Sequence, residues 1–274
     1  MSTQPTVAFI GAGNMARAII AGLLHNGYPA TRIWATGTQA DKLADLSTLG
    51  IHTGTDNNAA AAAADILILA VKPQMMKQVC TPLRDTVMQR RPLIVSVAAG
   101  IACDSLDLWL GGDNAVVRCM PNTPSQVQTG ASGLFANARV SQLQKQQTEG
   151  LLEHVGLALW VEREELIHAV TAVSGSGPAY YFLFMEAMIA AGEKLGLAPE
   201  TATALTLQTA LGAARMASDS ALSPTQLRQG VTSPKGTTEQ AILTFQGAQL
   251  ETLVDDAMQA CANRSKELAE LLKD

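Results

Sequence analysis

"PTVAFIGAGNMARAIIAGL", Pro5 to Leu23, joins an apolar run to a small-residue helical pattern through Gly-Ala-Gly. Gly11-x-Gly13-x-x-Ala16 stands between the two. Gly11 permits a tight strand-to-helix turn, Gly13 puts no side chain in the way of a pyrophosphate, and Ala16 is small enough for close helix-strand packing. The N–H groups and dipole at the start of the helix then face an anion. The stretch therefore predicts a phosphate-holding turn at Gly11, Ala12, Gly13, Asn14 and Met15, and a strand-turn-helix unit that opens the fold. A plain tight turn is the alternative.

Outward from this unit, β-rich runs alternate with helical patterns. Strands are expected at Thr6–Ile10, Arg32–Thr36, Asp65–Val71, Pro92–Ala98 and Ala115–Met120, with helices such as Asn14–Asn26, Asp41–Leu49 and Met75–Met88 between them. The last three runs are nearly all apolar, as parallel strands covered on both faces are. A weaker strand-helix-strand group follows in "ASGLFA", Gln142–Val155 and "LALWV". Alternation of this kind implies a doubly wound, Rossmann-type sheet. Near Glu162 the character changes, and helices are expected at Glu164–Val173, Pro178–Leu195, Pro199–Asp219, Pro224–Val231, Thr238–Gln246 and Leu250–Lys273. The fold class is thus α/β, with a dinucleotide-binding domain over 1–162 and an all-helical domain over 163–274. The second and third of these helices are apolar or small nearly all the way round, so they must be buried. So few helical residues can hardly bury both, which points to a second subunit and most simply to a two-fold dimer. A single central core helix is the alternative.

Of the 274 residues, 47% are hydrophobic and 16% charged, enough apolar material for a large core without disulfides or metals. A net charge of −5 argues against a nucleic-acid binder that relies on phosphate neutralisation. Cys80, Cys103, Cys119 and Cys261 are far apart and form no CxxC pair, which favours a reducing compartment. The first residues carry no basic and apolar leader pattern. The longest apolar stretch, Ala59–Val71, is too short for a bilayer, so no membrane association and a cytoplasmic location are expected.

About 20 residues past the glycine turn, NAD-selective sites carry an acidic residue. Here the second strand runs into "ATGTQ", Ala35 to Gln39, where Thr36 and Thr38 offer hydroxyls and no carboxylate repels a 2′-phosphate. This favours NADPH, with NADH possible. Lys72, in "LAVKPQ", follows a buried strand and suits either a phosphate or plain solvent. Ala98-Ala99-Gly100 leaves room for a flat ring or forms an ordinary loop.

Acid-base chemistry is hard to find. The four histidines form no metal-spaced pair, and no metal site is expected. His168 fits a surface or interface better than a base, and Lys194 suits the dipole at the end of its helix. Two polar loops stand out instead, "AVSGSGPAY" (172–180) and "TSPKGTTEQA" (232–241). In the second, a helix starts at Thr237-Thr238, where free N–H groups could hold a small carboxylate or a threonine could simply cap the helix.

The set "FIGAGNMA", "AVKPQ", "VSVAAG", "MPNTP", "VSGSGPAY" and "TSPKGTTEQAI", in this order, resembles the pyrroline-5-carboxylate reductase family over essentially the whole chain. The resemblance implies reduction of L-1-pyrroline-5-carboxylate to L-proline by hydride transfer from NAD(P)H to a cyclic imine, the last step of proline biosynthesis. It implies that Thr238 hydrogen-bonds the imine nitrogen and that backbone groups of Gly236, Thr237 and Thr238 take the substrate carboxylate. It places Glu164 near the substrate, Asn57 near the adenosine, and Ala70, Val71, Lys72, Pro73, Ala98, Ala99 and Gly100 on the nicotinamide side. It implies a homodimer with interlocked helical domains, each active site using two chains, and higher assemblies of such dimers. Lys235, where many members have glycine, and Gly230, where some have asparagine, depart from the pattern. The rivals are a related imine or β-hydroxyacid dehydrogenase, which would need a basic group for the alcohol proton, and a non-catalytic NADP(H)-binding sensor.

Overall fold

The structure, a computed structural model, describes residues 4–273. By internal contacts the chain divides into two units. One comprises the described residues up to Ser176 together with those from Cys261 onward, and the other is Gly177–Ala260.

The first unit is built on an eight-stranded sheet of order β3-β2-β1-β4-β5-β6-β7-β8. Its strands are β1 (Val7–Ile10), β2 (Ile33–Thr36), β3 (His52–Gly54), β4 (Ile66–Leu69), β5 (Leu93–Ser96), β6 (Val116–Met120), β7 (Gly130–Ala136) and β8 (Gly156–Trp160). β1 pairs in parallel with β2 on one side and β4 on the other, Val7 facing both Ile33 and Ile66. β7 runs antiparallel to β6 and parallel to β8. Every residue of β1, β4 and β5 is buried. The alternation along β1 explains how: Val7 and Phe9 pack with Ile19, Ile20 and Leu23 on one face, while Ala8 and Ile10 pack with Leu67, Met76 and Leu83 on the other.

The helices of this unit are α1 (Asn14–His25), α2 (Ala44–Thr48), α3 (Asn57–Ala63), α4 (Met76–Cys80), α5 (Arg84–Arg90), α6 (Cys103–Trp109), α7 (Gln142–Glu153) and α8 (Leu166–Val170). Three elements were not foreseen: β3, α3 and α6. β3 has three residues and no apolar run, and its His52 ring stacks on Trp34 of β2 at 4.7 Å. The helix expected over Met75–Met88 is broken into α4 and α5 by a 3₁₀ turn at Thr81–Leu83, where Pro82 has no N–H to continue the ladder. A π-turn at Thr171–Gly175 follows α8, inside the Ser-Gly-rich loop.

The second unit holds α9 (Gly177–Lys194), α10 (Pro199–Asp219), α11 (Pro224–Gly230), α12 (Thr237–Gly247) and the start of α13 (Leu250–Leu271), whose end belongs to the first unit. Pro199 and Pro224 stand in the first turns of their helices, and Ser223 and Gln226 close a capping box on α11. Gly192 of α9 abuts Ala202 of α10, so small residues let these helices approach. The apolar side chains expected to be buried nevertheless stand open in the single chain: Tyr181 is 70%, Leu183 67% and Leu211 61% exposed.

Candidate functional site

The carboxyl ends of β1, β2 and β4 lie side by side, and a cleft of 480 Å³ opens there. This is where the strand order reverses, β1 leading out to β2 on one side and β4 on the other, and where α/β sheets bind ligands. Of the residues singled out in the sequence, Gly11, Ala12, Gly13, Thr36, Thr38, Asn57, Ala70, Val71 and Lys72 line it. Gly11 sits at φ +96°, and a Cβ there would lie 2.8 Å from Val71 Cγ1 and 2.9 Å from the Ala70 carbonyl oxygen. Gly11 is therefore demanded by the protein itself. At Gly13 a Cβ would meet no protein atom within 4 Å. That glycine keeps open a space beside the first turn of α1, which is the space a pyrophosphate needs. The residues present fit a dinucleotide.

The cleft also holds residues that the sequence reading passed over, chiefly Arg17, Gln39, Lys42 and Thr55. Arg17 donates through Nε to the Ala12 carbonyl oxygen at 3.0 Å and through its terminal nitrogens to the Lys42 carbonyl oxygen at 2.6 Å and to Asp45. That hydrogen bond from Arg17 holds the Asp45 carboxyl below its usual range. The signal was a cation one position past the fingerprint alanine. Thr36 is buried, and its hydroxyl donates to the Phe9 carbonyl oxygen at 3.3 Å, which leaves Thr38 as the exposed threonine of that strand end.

Asn14, Met15, Pro73, Ala98, Ala99 and Gly100 do not line the cleft. Met15 packs against the core, and Pro73 opens a 3₁₀ turn. Gly100, at φ +76°, turns toward the end of α13, where a Cβ would touch Leu272 Cδ1 at 3.4 Å.

Glu164 is held in the first unit. Its Oε1 accepts from Arg118 of β6 at 2.8 Å and from the Cys103 backbone N–H at the start of α6 at 2.8 Å. The Arg118 side chain is 6% and that of Glu164 24% exposed, so this is a largely desolvated pair. Asn122, of "MPNTP", donates to the Ser174 carbonyl oxygen at 3.0 Å and accepts from the Ala131 N–H at 2.9 Å, tying the end of β6 to the π-turn.

In the second unit, Gly236 caps α12 without a side-chain bond, and Thr237 and Thr238 form its exposed first turn. Lys235 takes φ +59°, its N–H donates to Glu239 Oε2 at 2.7 Å, and the Gly236 N–H donates to the Ser233 carbonyl oxygen at 3.0 Å. The N–H groups of Thr237 and Thr238 are the ones the helix geometry leaves available. Lys194 is the exposed last residue of α9. Cys80, Cys103 and Cys119 are free and buried, and burial pushes the Cys80 and Cys119 thiols up to about 12, so they act as apolar residues. Among the described residues there is no metal-capable cluster and no helix long and apolar enough to cross a membrane.

A doubly wound sheet with this glycine turn and cleft, followed by helices with open apolar faces, defines an α/β protein of the dinucleotide-binding class. Residues 6–100 match the family model described as NADP oxidoreductase coenzyme F420-dependent, and residues 164–268 match that described as pyrroline-5-carboxylate reductase dimerisation. The chain is 55% identical to a pyrroline-5-carboxylate reductase of Pseudomonas aeruginosa over 99% of both chains. It superimposes on the structure of a pyrroline-5-carboxylate reductase from Coxiella burnetii with a TM-score of 0.94, at 48% identity and covering 97% of this chain and 99% of that one. The Plasmodium falciparum pyrroline carboxylate reductase with NADP bound superimposes with a TM-score of 0.85, at 27% identity and covering 97% and 98%. The chain belongs to the pyrroline-5-carboxylate reductase family. Its dimerisation region accounts for the open apolar faces of the second unit as the surface of a homodimer.

Proposed function

We propose that the protein reduces L-1-pyrroline-5-carboxylate to L-proline, as an NAD(P)H-dependent oxidoreductase acting on a cyclic imine in proline biosynthesis. The observation that carries the reading is the match of 97–99% of the chain to reductases of that name. NADPH is the preferred donor and NADH an alternative. When bound, the reduced nicotinamide supplies the hydride for the imine carbon. Gly11 to Gly13 and the start of α1 hold the pyrophosphate, Asn57 stands by the adenosine, and Ala70 to Lys72 flank the reactive end. The Thr237 and Thr238 N–H groups take the substrate carboxylate, and the Thr238 hydroxyl holds the imine nitrogen. A protonated imine is already a strong electrophile, so orientation and a partner for nitrogen suffice, and no strong base is required. Arg118 and the Cys103 N–H fix one oxygen of Glu164, the carboxylate that this reading assigns to the substrate.

In this reading residues 1–162 carry the cofactor, while residues 163–274 supply the substrate loop and the dimer interface. The helical domains interlock, such dimers build a higher assembly, and the enzyme works in the cytoplasm. A β-hydroxyacid dehydrogenase would need a shielded base, whereas Lys194 stands exposed at a helix end. Following NADPH oxidation with pyrroline-5-carboxylate tests the proposal, wild type beside Thr238→Ala. The expected loss in kcat/KM is about 1–3 kcal/mol, the scale of one buried hydrogen bond. Unchanged rates would remove Thr238 from the mechanism, and a wild type without turnover would remove the substrate.

A further inference from the structure

The cleft has two ends. The inner end is the glycine turn, and the outer end, beyond β2, carries Thr36 to Gln39 with Arg17 and Lys42 on its wall. A ribose bound across the glycine turn places its 2′ position at this outer end. NAD-type sites meet the 2′-hydroxyl there with a carboxylate from the second strand, but here that strand end is Thr-Gly-Thr, and the Thr36 hydroxyl is already given to Phe9. The charge at this end comes from elsewhere.

Arg17 is held at three points. The Ala12 and Lys42 carbonyl oxygens fix the plane of its guanidinium, one from the glycine turn and one from the 3₁₀ turn Asp41–Leu43. Its third partner, the Asp45 carboxylate, is of a different kind. That side chain is 64% exposed, so water competes for it and the pair is weak. The two neutral carbonyls preorganise the fork, and the exchangeable anion occupies one terminal nitrogen.

We infer that Arg17 reads the 2′-phosphate of NADPH. Its guanidinium keeps the Ala12 and Lys42 carbonyls and trades Asp45 for the phosphate. Lys42 adds a second cation, and Thr38 an exposed hydroxyl. Asp45 then acts as an internal competitor that sets how far NADPH is preferred over NADH. The inference rests on the reading of the cleft as a dinucleotide site. It moves discrimination from the end of the second strand to a side chain of α1.

Calorimetric titration of the full-length homodimer with adenosine 2′,5′-bisphosphate and with 5′-AMP tests it without turnover. Wild type is expected to bind the bisphosphate more tightly. Arg17→Gln, which keeps a donor for the Ala12 carbonyl, should lose about 10- to 100-fold in bisphosphate affinity while 5′-AMP stays within about threefold. Asp45→Asn should gain about two- to fivefold for the bisphosphate alone. Equal weakening of both nucleotides by Arg17→Gln would make Arg17 a brace for the turn, and an unchanged ratio would remove it from recognition. Either result overturns the inference and leaves the dinucleotide cleft standing. A wild type that binds neither nucleotide overturns both. Loss of pyrroline-5-carboxylate turnover alone, with the nucleotide ratios as expected, would strike the substrate and spare Arg17.

Discussion

The two units treat the same residue types in opposite ways. In the sheet unit, the Val, Ile, Leu and Phe residues of β1, β4 and β5 are buried, because helices of the same chain cover both faces. In the helical unit, Tyr181, Phe182 and Leu183 of α9 and Leu211 of α10 stand 70%, 57%, 67% and 61% exposed. An exposed apolar surface of this extent marks an interface. The first unit closes its core within one chain, whereas the second needs another copy, so its stability depends on protomer concentration.

The sharpest way to break this comparison is to charge the open face. Leu183→Asp combined with Leu211→Asp costs only about 0.5 kcal/mol each in helix propensity in an isolated protomer, where both positions meet water. In the dimer each buries an unpaired carboxylate, a penalty of several kcal/mol. The expected outcome in sedimentation velocity is a monomer without reductase activity, its sheet unit folded and its helical unit destabilised. A dimer that persists would mean that α9 and α10 face solvent and that the comparison fails.

Two glycines two residues apart repeat the contrast on a small scale. Gly11→Ala forces a Cβ against Val71 and the Ala70 carbonyl at a positive φ, and should cost about 1–3 kcal/mol, seen as a lower Tm of the ligand-free protein. Gly13→Ala meets no protein atom, so the stability of the ligand-free protein should stay within about 0.5 kcal/mol of wild type while NADPH affinity falls. If NADPH binding survives Gly13→Ala, the pyrophosphate does not lie against this turn.

The same difference governs what could be read in the sequence. Buried parallel strands announce themselves as apolar runs, so β1, β4, β5 and β6 and the class of the sheet were legible. β3 was not, since an edge strand reading His-Thr-Gly is held by pairing with β2 and by the Trp34 stack rather than by burial. α3 was hidden because its alanine run, although it favours a helix, merges with the apolar strand β4 into one apolar stretch over Ala59–Val71. In the site, glycines were legible because backbone conformation depends on them directly. Arg17 was not, because its part comes from Ala12, Lys42 and Asp45, up to 28 residues away. Gly100, expected at the nicotinamide, also lies beside the last turn of α13, a contact across more than 160 residues that no local pattern records. For Glu164, the family pattern placed it near substrate, and only coordinates disclose its pairing with Arg118.

The smallest expected effect tests the contact between α8 and the end of α13. His168 of α8 lies with Nδ1 2.9 Å from the Ser265 hydroxyl of α13, both within the first unit. Burial lowers its pKa, and Arg118 and Lys266 push the same way against Glu164 and Glu165. Protonation is thus disfavoured in the folded state relative to the unfolded one. The stability this provides is complete above the unfolded value of about 6.5 and is lost as pH falls through the folded value. His168→Gln should therefore flatten the decline of Tm below pH 6.5, by little, because the ring is only partly buried. Carboxylates shared by both proteins cancel in the difference. Superimposable Tm profiles would uncouple His168 from folding.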